Sequence, residues 1–403
     1  MNSRGLLINI KKFLSDKGTG ELLYLLALSV FLLKLFIESS TFAIPHFFDL
    51  LAKALFLLFI LIKLVFYDSF KIHELYGCLF FLALGVVIFL CAGKLEIFYY
   101  FYALAGAKDV DFRRILKVYF WLSLFFLFMA YLASAVMLIV NLQYRKSEAF
   151  FGVRNSFGIG FPTDFAAHVF FMFVCGALIY RRKLKIAHFL LASLFDLIIF
   201  LFCYTKLDCI CMLFGCIIFA ILSFRDNIAG IKDKYRKYGP DPAAAVALFM
   251  PLAAAFMGGI TFCYSEDSSF LVKFDEFLTH RLRLGKMGFE NFPIKPFGSQ
   301  INMIGGGGNV IFSADYNFVD CSYLYVLFCF GFVTLAVLFA AYALCCMRLR
   351  RDYWYLAAIV LLVINCMVAH HLTDLSFNPF ALALFASVSQ DKGDKEGNPE
   401  AED

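Results

Sequence analysis

The 403-residue chain is predicted to be an all-α, polytopic integral membrane protein with about twelve transmembrane helices and one large extracytoplasmic loop. Three observations predict this. Apolar residues make up 62% of the chain against 17% charged, and mean hydropathy is +0.79, too apolar for a domain that must cover its surface with polar side chains. The apolar residues gather in runs close to the ~20 residues that a helix needs to cross ~30 Å of hydrocarbon. Only one long stretch, near 264–320, interrupts them with irregular, basic, glycine-bearing sequence. The 53 Phe and 20 Tyr suit lipid-facing helices with aromatic ends.

In chain order, full-length spans are expected near 21–38, 48–67, 75–93, 115–140, 163–180, 186–203, 207–224, 243–263, 321–345 and 353–370. Two shorter runs, near 96–107 and 375–389, fit tilted spans, re-entrant segments or spans in a thinned bilayer, and counting both gives twelve. With the N-terminus in the cytoplasm, short inner loops carry most of the 36 Lys and Arg. Among these are Lys11, Lys12, Arg113, Arg114, Arg181, Arg182, Arg348, Arg350 and Arg351. That is the positive-inside pattern, and it puts both termini in the cytoplasm. The first apolar run lacks a small-residue cleavage site and reads as a retained span. Residues 1–403 are thus expected to form one transmembrane domain, with 390–403, rich in charge with Gly and Pro, a disordered cytoplasmic tail. The net charge of +5 follows from topology and gives no hint of nucleic acid. The thirteen Cys sit mostly inside spans with no CxxC pair, which favours apolar packing over a metal or disulfide framework.

Two outer segments carry the chemistry. In the first, Arg154-Asn155-Ser156-Phe157-Gly158-Ile159-Gly160-Phe161-Pro162-Thr163-Asp164 leads into a span bearing His168. Gly158, Gly160 and Pro162 predict a tight turn into a helix N-terminus, whose free N–H groups favour an anion beside Arg154. The same spacing fits an ordinary loop-to-helix junction. In the second, Phe270, Phe274, Phe277, Leu278 and Leu282 recur at helical spacing. Lys273, Glu276, His280, Arg283 and Lys286 lie on other faces, so an amphipathic helix on the outer membrane surface is expected over 270–292. Arg281 falls at the boundary of its faces. Gly305, Gly306, Gly307 and Gly308 lack the following Lys-Ser/Thr of a nucleotide loop and read as a hinge or lid. Asp320 opens the next span, where a helix N-cap is its simplest reading. Lys206 with Asp208, and His370-His371 with Asp374, mark two further outer junctions.

RNSFGIGFPTDF, HRLRLGKMGFENFPIKPFGSQI and YNFVDCSYLYVLFCFGF, in this order in a chain of this length with one large outer loop, resemble the Wzy-type polymerases of O-antigen, capsular polysaccharide and exopolysaccharide. Phe161-Pro162-Thr163 stands where that family typically has His-Pro-Asn, and Thr205-Lys206-Leu207-Asp208 where it often has Ser-Arg. The resemblance implies a bacterial cytoplasmic-membrane enzyme that transfers a growing glycan from its undecaprenyl-diphosphate carrier to the next lipid-linked oligosaccharide, outside the cell. Arg154, Arg281, Arg283 and Lys206 are then the candidates for binding the diphosphate. Asp320, Asp164 and His168 compete to take the acceptor's proton. Neither nucleotide, metal nor other cofactor is demanded. Membrane lipid, a chain-length regulator and a flippase are the implied partners. An O-antigen ligase and a lipid-linked oligosaccharide flippase are the competing functions. The latter would show paired halves with polar groups at mid-span, which this chain lacks.

Overall fold

A computed structural model describes residues 17–43, 45–228, 241–305 and 316–388. The first half holds α1 (Lys17–Glu38), α2 (His46–Phe66), α3 (Ile72–Ala92), α4 (Glu96–Gly106) and α5 (Phe112–Ala135). A two-stranded antiparallel hairpin follows, β1 (Gln143–Arg145) with β2 (Val153–Asn155), a small departure from an all-helical chain. Then come α6 (Pro162–Tyr180), α7 (Ile186–Cys203), α8 (Lys206–Ile228) and α9 (Ala243–Phe262). Two short helices, α10 (Ser269–Phe277) and α11 (Arg281–Asn291), precede α12 (Ser322–Cys329), α13 (Gly331–Arg348) and α14 (Tyr353–Val368).

Eight of these helices, α1, α3, α5, α6, α7, α8, α9 and α13, are long and apolar enough to cross a membrane. The protein is a polytopic helical membrane protein. Buried residues make up 72% of the apolar window of α6 but 22% of that of α7, so α6 lies at the centre and α7 faces outward. The 21-residue α2 carries three charges, Asp49, Lys53 and Lys63, and each is paired. Asp49 meets Lys53 at 2.7 Å and Lys34 of α1 at 3.5 Å. Lys63, 1% exposed, donates to both carboxylate oxygens of Asp68 and, at 2.7 Å, to the carbonyl of Lys108. Pairing of this kind is what allows charge at hydrocarbon depth.

The run 321–345, expected as one span, is broken between α12 and α13. Gly331 adopts φ +87°, and the N–H groups of Phe332 and Val333 donate to Lys295 and Pro296 of the preceding loop, at 3.2 and 3.1 Å. The loop thereby supplies acceptors that a continuous helix would have found four residues back. It approaches so closely that a Cβ at Gly298 would overlap the Cys329 carbonyl oxygen. Sequence periodicity cannot register such a break, because its cause lies more than thirty residues away.

The run 375–389 is not a membrane helix either. Between Ala369 and Val388 the described chain is buried and irregular, with one 3₁₀ turn at Phe380–Leu384. It passes from the Ser322 end of the bundle, where Ala369 is bonded, to the Arg348 end, where Ser387 pairs with Val110 and Phe112. Non-helical backbone is tolerated at this depth only when protein groups satisfy it, and they do so here. Tyr119 donates to the carbonyl of Ser376, Tyr355 to Phe380 at 3.0 Å, and Arg348 to Ala383 and Leu384 at 2.8 and 2.7 Å. Asn378, fully buried, donates to Leu372 and Tyr342 at 2.8 and 2.7 Å and accepts from Phe380 N–H at 3.1 Å.

The amphipathic helix expected over 270–292 is two helices joined by Thr279 and His280 with φ of 55° and 67°. Only α10 exposes large apolar side chains, Phe270 and Phe277. Leu278 and Leu282 are buried, and α11 packs onto the bundle through its glycines. A Cβ at Gly285 would lie 2.6 Å from Thr261, and one at Gly288 would lie 2.8 Å from Phe328. The tail at 390–403 lies outside the described residues.

The loop-into-break contact predicts a graded glycine series. Gly298→Ala is expected to cost ~1–3 kcal/mol or more through backbone overlap, whereas Gly258→Ala and Gly259→Ala, with open space around them, should be neutral. Unfolding midpoints of the detergent-purified variants check this.

Candidate functional site

At one end of the bundle the C-termini of α1, α5, α7, α9 and α14 meet the N-termini of α6, α8 and α12. Backbone contacts fix this assembly. Gly160 N–H donates to Ser39 at 2.7 Å, Thr41 N–H donates to Gly158 at 2.9 Å, and Ser322 Oγ donates to Ala369 at 2.6 Å.

The hairpin presents Arg154. Tyr144 pairs with it across the strands and donates its hydroxyl to Gly160 at 2.5 Å, tying hairpin to turn. Asn155 Oδ1 accepts from Gln143 at 3.0 Å, and Asn141 Oδ1 accepts from Phe157 N–H at 2.9 Å. Gly158, at φ +84°, sits 2.7 Å from Ala130 O at its Cβ position, so only glycine fits this turn. Arg154 Nε then donates to the carbonyl of Cys203 at the end of α7, at 2.9 Å. Burial pushes the pKa of this guanidinium down. Asp208 opposes that shift and Arg281 adds to it. An arginine stays protonated regardless.

Arg281 comes from the opposite side. Its Nε donates to the carbonyl of Val368 at the end of α14, and its Nη1 to Leu278 at 3.0 Å and to the Thr279 hydroxyl. Nη2 lies 3.6 Å from Asp320, with 13% of the arginine side chain and 25% of the aspartate side chain exposed. Tyr316 is close by: burial first, then Asp320, raises its phenol to about 12 against the pull of Arg281.

Four carboxylates lie at this end of the bundle. Asp164 and Asp208 occupy the first turns of α6 and α8, and Asp320 lies two residues before the start of α12. Asp374 lies in the crossing segment, accepting from Ser376 N–H at 2.8 Å and its hydroxyl at 2.7 Å. Asp164 feels the charges of Asp374, Asp208 and Asp320, and Asp208 those of Arg281, Arg154 and Asp320. Three helix N-termini directed at this cluster supply partial positive charge that helps to hold the acids.

The other residues singled out from sequence lie elsewhere. His168 has no exposed surface. Its ring is stacked 4.1 Å from Phe377 and tilted 4.8 Å from Phe36, in the packed wall behind the carboxylates. Phe377 in turn lies 3.9 Å from His371. Lys206 is exposed over the ring of Tyr204. The Arg283 side chain is exposed and forms no ion pair among the described residues. Gly305 is described and follows Ile304, whose N–H donates to Asn317 Oδ1 at 2.6 Å. Gly306, Gly307 and Gly308 lie outside the described residues. Among the described residues no three His, Cys, Asp or Glu side chains are grouped to hold a metal ion.

Sequence reasoning missed Asp275. It is 2% exposed, and its Oδ1 accepts the N–H groups of Leu282 and Arg283 at 2.8 and 3.1 Å, so it caps the helix that begins at Arg281. Left-handed backbone at the two preceding non-glycine residues costs about 1–2 kcal/mol each, which those bonds help to offset. One signal was available: an acid in the last turn of α10, where a helix dipole disfavours it, points to a use outside that helix.

Compared with known protein families, curated proteins and solved structures, the chain has no match.

Asp208 is 8% exposed and balances two guanidiniums. Asp208→Ala is expected to destabilise the protein by ~1–3 kcal/mol, the range for a buried charge left short of a partner. The loss should shrink in an Arg154→Gln background, because the two sites are coupled. A double-mutant cycle on the unfolding midpoints measures the difference.

Proposed function

We propose that the protein is a membrane glycosyltransferase of the polysaccharide-polymerase type. It transfers a growing glycan from a polyisoprenyl-diphosphate carrier to a hydroxyl of the next lipid-linked oligosaccharide. One observation carries this reading. Arg154, docked on the end of α7, and Arg281, docked on the end of α14 and 3.6 Å from Asp320, come from distant parts of the chain to the mouths of membrane helices, beside carboxylates able to accept a proton.

The chemistry follows from these groups. The acceptor oxygen bonds to the anomeric carbon as the bond from that carbon to the diphosphate breaks, and the electron pair leaves with the carrier's diphosphate. Fixed guanidinium donors stabilise that departing charge, and their planar fork suits phosphate oxygens. The hydroxyl proton passes to a carboxylate. Asp320, a quarter exposed and beside Arg281, and Asp164, on the α6 turn, are the accessible choices, whereas His168 is sealed behind Phe377. The site end is proposed to face outward across a bacterial cytoplasmic membrane, with twelve crossings and both termini inside. Arg113, Arg114, Arg181, Arg348 and Arg350 at the other end of the bundle support that orientation through the positive-inside rule.

The test is transfer on a purified lipid-linked repeat unit without added nucleotide. A ladder of lengths supports polymerase, and a single transfer to another acceptor supports ligase. No covalent product, with the lipid relocated across the bilayer, supports flippase and overturns the reading. Arg154→Ala and Arg281→Ala should each lower the transfer rate by ~10²–10³, the scale of a lost transition-state donor, in protein that remains inserted and folded. Of Asp320→Asn and Asp164→Asn, the one that removes the base should lose most activity with little change in KM. His168→Phe should keep it.

A further inference from the structure

We infer that Asp275 is a positioning residue that aims Arg281 into the site, and this rests on the proposed diphosphate-binding role of Arg281. Arg281 is the first residue of α11, so its side chain is directed by how that helix begins. The start is unusual: Thr279 and His280 both adopt left-handed backbone, which brings the helix back toward the bundle. Asp275 holds that reversal from within. Its Oδ1 takes the N–H groups of Leu282 and Arg283, its Oδ2 lies 3.3 Å from His280 Nδ1, and its carbonyl accepts His280 N–H at 2.8 Å. Every one of these bonds ends within two residues of Arg281. With the turn fixed, the guanidinium reaches the Val368 carbonyl and faces Asp320. Asp275 itself is spent on backbone and imidazole, and no bond joins it to the guanidinium, so it acts through Arg281.

The experiment uses the full chain in nanodiscs, with polyisoprenyl diphosphate lacking sugar as the binding probe and chain transfer as the second readout. Arg281→Ala should weaken probe binding by ~30-fold, the scale of charge-assisted hydrogen bonds. Asp275→Ala should weaken it by ~10-fold and lower transfer, while Asp275→Asn, which still accepts at Oδ1, stays within ~3-fold. The double variant Asp275→Ala/Arg281→Ala should bind no more weakly than Arg281→Ala alone. Multiplying effects in the double variant, or parental binding by folded Asp275→Ala, overturns the inference. If Asp275→Ala does not fold, Arg283→Pro removes one capped N–H at a first-turn position that tolerates proline. It should bind more weakly than Arg283→Ala, and equal binding by the two overturns the inference. Unchanged binding by Arg281→Ala would instead defeat the reading of the site, whatever Asp275 does.

Discussion

Every backbone N–H and C=O buried in this bundle must find a partner inside the protein, and the architecture depends on that requirement. Within the helices it is met locally. At the break before α13 it is met by the carbonyls of Lys295 and Pro296, and between Ala369 and Val388 by Tyr119, Tyr355, Arg348 and Asn378. Unpaired backbone at hydrocarbon depth would cost several kcal/mol per group. These two departures from helix are matched by the side chains and the loop that answer them.

The candidate site draws on the same requirement at the helix ends. Both arginines are docked on carbonyls at helix C-termini, Arg154 on Cys203 and Arg281 on Val368. The acids Asp164 and Asp208 lie on helix N-termini. Each of these charged groups thus meets a helix end of opposite partial charge, although Arg281 itself begins α11. The scaffold holds cations and carboxylates close together without neutralising them all in direct pairs: only Arg281 and Asp320 among them approach within 4 Å. A polar, charge-dense surface is thereby kept at the margin of an apolar body.

Apolar run length made most of the fold legible, since α1, α3 and α5 to α9 need nothing beyond composition and spacing. Arg154, Arg281 and Asp320 were legible as charges at the mouths of such runs. The rest depended on partners distant in sequence. The split at Gly331 needs the loop at 295–298, and the unwound segment after α14 needs Tyr119 from the fifth helix. Asp275 gave only the weak signal of an acid near a helix C-terminus, because its partners are mainly backbone N–H groups, which carry no residue identity. The burial of His168 was not legible either: an imidazole near a helix mouth gives no sign that Phe36 and Phe377 enclose it.

The threading of residues 369–388 bears on how the protein is made. This stretch leaves the ribosome after Tyr119, Arg348 and Tyr355, side chains from outside it that satisfy its carbonyls. Lacking a helix, it has no stable way to partition sideways from the translocon into lipid on its own. Insertion must therefore wait until α5, α13 and α14 have assembled a cleft to receive it.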